Sequence, residues 1–303
     1  MKRLLITLTT ALLWAQVGLA GSTGSTGAQF LKLGAGARAI SLAEAYTAIA
    51  GDATAVHYNP AGLTGVSGRE VTGMYAMHIA GIKYGFIGYA QEREDLKGGL
   101  GVGLLMVRSG EIKGYTNGGG SAEDFDASSY ALTLAYGREL RKDLSLGTSL
   151  KIITSRIEDE KANPSVGIDL GAIYRPKDNL QLGLKLQNLL ALKMKFIKEK
   201  ESLPVSLNLG AAYFLPQTFK DGQLTFLLDL KIPNDNDIAV SIGAEYLFRK
   251  RFAARVGYRS DIDEGPGISA GLGLRHKNYT FDYAFLPYGD LDNAHRMSFG
   301  ISF

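Results

Sequence analysis

The chain has no cysteine, a single tryptophan, 4 histidines and only 8 prolines in 303 residues. Without cysteine there can be no disulfide framework and no lipid attachment through a thiol near the amino terminus. The histidines, at 57, 78, 276 and 295, share no metal-ligand spacing, so each reads as structural and no metal or cofactor is expected. A serine-hydrolase set would need a nucleophile within reach of one of them, and Ser67 in "GVSGRE" reads as a turn, which leaves an enzyme as a distant expectation. Neither sign of charge dominates. The formal net charge is +3, and two of those positive charges are Lys2 and Arg3. The concentrated basic face of a nucleic-acid binder is missing, so nucleic acid is not an expected partner.

What the chain does have is glycine, 38 residues, together with 15 tyrosines and 13 phenylalanines. That mixture suits many strands joined by turns. Residues 1–20, "MKRLLITLTTALLWAQVGLA", combine a basic start, a short apolar middle interrupted by threonines, and small residues at Gly18 and Ala20. They read as a secretory signal peptide cut after Ala20, in preference to a membrane anchor, which needs a longer apolar run.

From about residue 70 the dominant pattern alternates with period two. Ile238, Val240, Ile242, Ala244, Tyr246 and Phe248 fall on one face, with Ala239, Ser241, Gly243 and Glu245 on the other. The same division separates Leu180, Leu182, Leu184 and Leu186 from Gln181, Gly183, Lys185 and Gln187. A soluble sandwich also alternates. Here, however, the polar face is unusually small, the segments run to about ten residues, and aromatics gather at strand ends on the apolar face, as a lipid-facing band with aromatic girdles requires.

Counting such segments gives an all-β fold, a transmembrane antiparallel β-barrel of about 14 strands. They fall near 71–79, 82–91, 100–108, 128–138, 144–156, 165–175, 180–189, 204–215, 223–232, 238–248, 252–260, 267–276, 279–287 and 295–303. A phase slip at Phe86-Ile87 predicts a bulge in the second. Short turns at 139–143, 175–179, 249–251 and 277–278 alternate with longer loops at 109–127, 156–164, 190–203 and 286–294. That asymmetry assigns the short turns to the periplasm and the long loops to the outside. The closing "MSFGISF" ends on Phe303, an aromatic terminus suited to the barrel-insertion machinery. The lipid of the outer membrane is then the barrel's surroundings.

Residues 21–68 do not alternate. Gly34-Ala35-Gly36-Ala37-Arg38-Ala39 fits G-x-G-x-x-A, the phosphate-binding turn of dinucleotide folds, and Asp52 stands where the ribose-binding acid could be. No βαβ unit follows to complete such a fold. The better account is a plug: a barrel this wide leaves a lumen that wall side chains alone do not fill, and the small residues between Gly34 and Ala45 let a short helix lie against the inner wall. Asn59-Pro60-Ala61-Gly62 then forms a turn, proline fixing φ and asparagine bonding its own backbone. The division is thus signal peptide 1–20, N-terminal plug or hatch 21–68, and barrel 69–303.

Phe30-Leu31-Lys32-Leu33-Gly34, Gly36-Ala37-Arg38, Ala45-Tyr46-Thr47-Ala48, Asp52-Ala53-Thr54-Ala55 and Asn59-Pro60-Ala61-Gly62 together resemble the start of mature PorV/PorQ-type proteins, within the wider FadL-like group of outer-membrane barrels. Ser41-Leu42-Ala43-Glu44 departs from that pattern, and Glu44 takes no role from it. The resemblance implies a plugged barrel in the outer membrane of a Gram-negative bacterium. PorV-like relatives imply a role in type IX protein secretion or cell-surface assembly, with secretion-system components or secreted cargo met at the extracellular loops. FadL-like relatives imply the alternative, passive uptake of a hydrophobic small molecule.

Alternation places Lys151, Asp169, Lys185, Asp229, Glu245, Arg255, Arg259, Arg275 and Asp282 toward the lumen. Mixed charges in a barrel interior must pair or stay wet, so they read as a network clamping the plug rather than as a polar conduit. Arg38 and Asp52 are the plug charges expected to meet that wall. The lysine-rich segment 189–202 reads as an amphipathic lid, a docking platform or a solvated hairpin extension.

Overall fold

The computed structural model describes residues 26–49, 51–77, 82–114, 123–196, 199–216, 220–262, 265–289 and 293–303. The expected signal peptide, His78 and the tips of several outer loops lie outside the described residues. Strands β1 (Arg69–Met77), β2 (Lys83–Arg93), β3 (Gly98–Ile112), β4 (Phe125–Arg141), β5 (Leu144–Ile157) and a short β6 (Glu160–Lys161) come first. They are followed by β7 (Ser165–Lys177), β8 (Leu180–Gln187), the small pair β9 (Met194–Phe196) and β10 (Glu199–Glu201), and β11 (Ser206–Phe214). The chain ends with β12 (Gly222–Pro233), β13 (Ala239–Phe248), β14 (Phe252–Arg259), β15 (Ile268–His276), β16 (Tyr279–Pro287) and β17 (Asn293–Ser302).

Setting aside β6, β9 and β10, which belong to outer loops, the strands form a closed antiparallel barrel of 14. Closure is made by β1 on β17, in register from Glu70 against Ser302 to Met77 against His295. At its lower end Arg69 and Phe303 exchange backbone hydrogen bonds of 2.9 and 2.8 Å. Both ends of the wall lie beside the two-residue turns at 142–143, 178–179 and 277–278, which is therefore the periplasmic end. Among the described residues no helix is long and apolar enough to cross a membrane; the crossing is made by strands.

The two faces of each strand meet different surroundings. On β13 Ile242 is 51 % exposed while Glu245 is 4 % exposed. Phe226, Leu228, Leu272, Phe281 and Phe299 likewise stand out from the wall, as residues facing hydrocarbon do.

Two details differ from the sequence-based expectation. The phase slip at Phe86-Ile87 is not a bulge: β2 stays in continuous register with β1 and β3. Tyr84 and Phe86 instead turn inward and are buried against the plug, while Ile87 faces out. Greasy residues on both faces looked like a change of phase because this stretch of lumen is filled by protein. Register shifts occur elsewhere, near strand ends, between Arg108 and Glu111, Glu139 and Arg141, and Tyr174 and Lys177.

The alanine-rich part of the plug is less helical than expected. A single turn, Ala37–Ile40, gives way to turns in which Ala43 and Glu44 hold φ of 54° and 63°, left-handed values that end a helix. A second single turn spans Ala55–Tyr58, and a 3-10 segment follows over Pro60–Gly65.

Candidate functional site

The candidate functional element is the contact between the plug and the inner wall. Its closest part is made by glycine. Gly99, Gly137, Gly147 and Gly171 stand opposite one another on β3, β4, β5 and β7, forming a row across the wall. Asn59 to Leu63 lies along it. A Cβ added at Gly147 would come 2.3 Å from the Ala61 nitrogen, one at Gly137 2.5 Å from the Pro60 carbonyl oxygen, and one at Gly99 2.4 Å from that of Leu63. The backbone of the plug occupies the space that side chains would take.

Asn59, Pro60, Ala61 and Gly62 are all buried there. The Asn59 carboxamide oxygen accepts from Ala61 N at 3.1 Å, capping the 3-10 segment, and Pro60 takes a position where a missing N–H costs nothing. The Asn59 carboxamide nitrogen donates to Thr47 O in the plug at 2.8 Å and to Ala172 O in the wall at 3.2 Å. This side chain joins two plug segments to the barrel. Gly34 and Gly36 lie outside that row. Gly36 has φ 83° and precedes the first helical turn, whose Ala37 N donates to Ser298 Oγ at 2.7 Å. The glycines of the G-x-G-x-x-A stretch thus turn the plug against β17.

The charged residues form separate groups. Arg38 reaches from the plug to the wall, its Nη2 2.7 Å from Glu245 Oε1. Glu245 also pairs with Arg255 at 2.6 Å, and Arg255 with Asp282 at 2.6 Å. On the far side Asp169 is held by Lys151 at 2.8 Å and Lys185 at 3.4 Å, and Lys185 Nζ donates to the plug through His57 O at 2.6 Å. Asp229 accepts from the plug backbone, Tyr46 N at 3.1 Å and Thr47 N at 2.9 Å. Arg259 pairs with Glu44 at 3.0 Å. Arg275 lines a cavity with Glu70 and Asp282 but has no carboxylate within 4 Å among the described residues.

Asp52 departs from the expected arrangement. Its carboxylate accepts from Thr54 N at 2.9 Å and Tyr46 Oη at 2.7 Å, with Arg38 farther off at 3.5 Å. It organises the plug from within rather than joining it to the wall, because those nearby donors occupy its oxygens first.

Three latching residues were not legible in the sequence. Glu44 had no motif behind it. Asp235, in the outer loop after β12, receives Lys32 Nζ at 2.9 Å and Gln29 Nε2 at 3.1 Å, and it bonds Thr26. Burial pushes the Asp235 carboxyl up, but hydrogen bonds from Lys32, Thr26 and Gln29 prevail and hold it below the usual range. The third, Tyr58, accepts from Ala35 N at 2.9 Å and packs edge-on against Tyr46. None of these pairings has a signal within a single stretch of chain.

Little interior space remains. Cavities of about 80 and 40 Å³ lie on the extracellular side of the plug. One of about 320 Å³, lined by Arg38, Asp52, Glu70, Arg275 and Lys277, opens at the periplasmic end.

A closed barrel with lipid-facing apolar rows, shut by its own amino-terminal segment, defines a plugged outer-membrane β-barrel. The chain belongs to the family described as type IX secretion system membrane protein PorP/SprF, whose profile matches residues 99–303. An uncharacterised protein family, UPF0164, matches residues 18–156. No curated protein matches. Among solved structures the chain is similar to the CymD monoaromatic hydrocarbon channel at 12 % identity and TM-score 0.61. It is similar to the Ralstonia pickettii toluene transporter TbuX at 11 % identity and 0.61, and to a Pseudomonas aeruginosa FadL homologue at 11 % and 0.60. Each alignment covers 89 % of this chain and 98 % of the other. At such identities the likeness is one of fold, and it is FadL-like.

Proposed function

We propose that this barrel acts without catalysis in type IX protein secretion or cell-surface assembly, meeting secreted cargo or secretion components at its extracellular rim in the manner of PorV/PorQ-type proteins. The observation that carries the reading is the filled lumen. Plug backbone rests on wall glycines, an ion pair from Arg38 to Glu245 latches one side of the stopper, and a hydrogen bond from Lys185 to the His57 carbonyl latches the other. Such an interior suits a scaffold better than a conduit. Family membership favours the same setting. At the rim, Leu189, Leu190 and Leu192 are exposed beside a lysine-bearing hairpin, an apolar patch of the kind protein partners cover.

Deletion of the gene, with retention of type IX cargo in the periplasm and restoration by the wild-type chain but not by a Leu190→Ser/Leu192→Ser variant, is the expected outcome. Normal cargo display in the deletion strain removes the reading. A second reading, passive entry of a hydrophobic small molecule, draws on the cavity of about 80 Å³ lined by Leu33, Ile40, Tyr84, Ile268 and Leu286. It requires that the deletion slow uptake of an aromatic hydrocarbon while cargo display stays normal.

A further inference from the structure

On the outer surface of the wall, register places Lys83 of β2 opposite Arg108 of β3, Arg108 opposite Ser128 of β4, Ser128 opposite Arg156 of β5, and Arg156 opposite Lys161 of β6. The first four share the parity of exposed Ile87, Val102, Leu132 and Ile152 on their own strands, so they point away from the lumen. Four cations therefore form one row across neighbouring strands at the extracellular end of the barrel. The next row toward the membrane holds Met106, Tyr130 and Thr154, and the one after it Leu104, Leu132 and Ile152. An aromatic residue above an apolar band marks the membrane interface. The charges stand one step outside it.

The row is confined to this side. Continued the other way across the wall, the row carries His295 on β17 and Phe285 on β16. Where the cations gather, an open basin of about 450 Å³ lies among Arg108, Tyr130, Arg156 and Lys161, with Asp126 its one lining carboxylate. Arg108 donates to Tyr130 Oη at 3.1 Å, and no carboxylate lies within 4 Å of it or of Lys161 among the described residues. Arg156 meets Asp126 at 3.0 Å in an exposed pair that a second anion can share.

We infer that this basin binds the phosphorylated saccharide headgroup of an outer-leaflet glycolipid of the lipid A type. Arginine matches phosphate through paired N–H groups, and basic clusters at a membrane surface select anionic headgroups. Arg108 and Arg156 are two strands apart, roughly 10 Å, a spacing that lets one headgroup present a phosphate to each. Acyl chains would then run down over Leu104, Leu132 and Ile152. That apolar continuation distinguishes a lipid from a free anion.

The test uses the full chain purified in detergent, exposed to bisphosphorylated lipid A, to its dephosphorylated form, and to inorganic phosphate as competitor, with bound lipid read by native mass spectrometry. Bisphosphorylated lipid A should be retained, the dephosphorylated form at least tenfold less, and Arg108→Gln/Arg156→Gln should lower retention by a similar factor while Lys142→Gln at the periplasmic turn leaves it unchanged. A Lys83→Gln/Lys161→Gln chain gives the same reading if the arginine variant does not fold. Equal retention of both lipids, indifference to the cation substitutions, or complete displacement by equimolar inorganic phosphate overturns the inference.

Discussion

The Asn59 carboxamide fills the place of the side chain that Gly171 lacks: a Cβ at Gly171 would lie 2.1 Å from Asn59 Oδ1. The asparagine of the plug turn and the glycine of β7 are thus two halves of one contact. Its neighbour Gly147 meets backbone, which cannot swing aside.

Gly147→Val should therefore loosen the plug, at a cost of about 1–3 kcal/mol for overpacking, and expose residues 26–68 to protease. Gly73→Val is the control, since nothing lies within 4 Å of a Cβ there. Equal protease resistance of the two variants would show that the glycine row does not seat the plug.

Arg38→Ala removes the one guanidinium that carries the plug across to Glu245, leaving Glu245 with Arg255. The wall network survives while the stopper loses a latch. Conductance in planar bilayers should rise above that of the unaltered chain. A leak no greater than before removes Arg38 from the latch.

Acid should release the upper end of the plug before the rest. The Asp235 carboxyl is held below its unfolded value by its hydrogen bonds, so its stabilising contribution is present above the unfolded value, about 3.9, and is lost as pH falls through the lower folded value. Amide exchange over residues 27–33 should be protected at neutral pH and accelerate only below about pH 4. In Asp235→Asn that acid-dependent step should be absent. Persistence of the step in the variant would assign it to another group.

The wall was legible because its outward residues obey a two-residue rhythm imposed by lipid, which Ile238 to Phe248 show plainly. The rhythm misled at Tyr84 and Phe86, where a second greasy surface, the plug, faces the same strand. The plug was legible as a unit through Asn59-Pro60-Ala61-Gly62, whose turn chemistry is local. Of its latches Arg38 was legible on the plug side, but which wall residue it meets was not, and the pairings of the others were not legible at all. Glu44 finds Arg259, and Lys32 finds Asp235, across some two hundred residues, and only the stagger of the closed wall decides which side chains meet. The motif residue Asp52 kept its bonds within the plug for the opposite reason: Thr54 and Tyr46 are near in sequence and claim it first.

The hydrogen bonds between Arg69 and Phe303 also bear on how the molecule is made. A wall without a free edge cannot be completed gradually, since its last pairing joins the two most distant strands and bears the largest loop-closure cost. The stopper is tethered directly to the strand that waits for that pairing. Sealing the ring and housing the stopper thus converge on a single seam, and a chain stalled before that event would show the envelope both an unzipped margin and an uncorked bore.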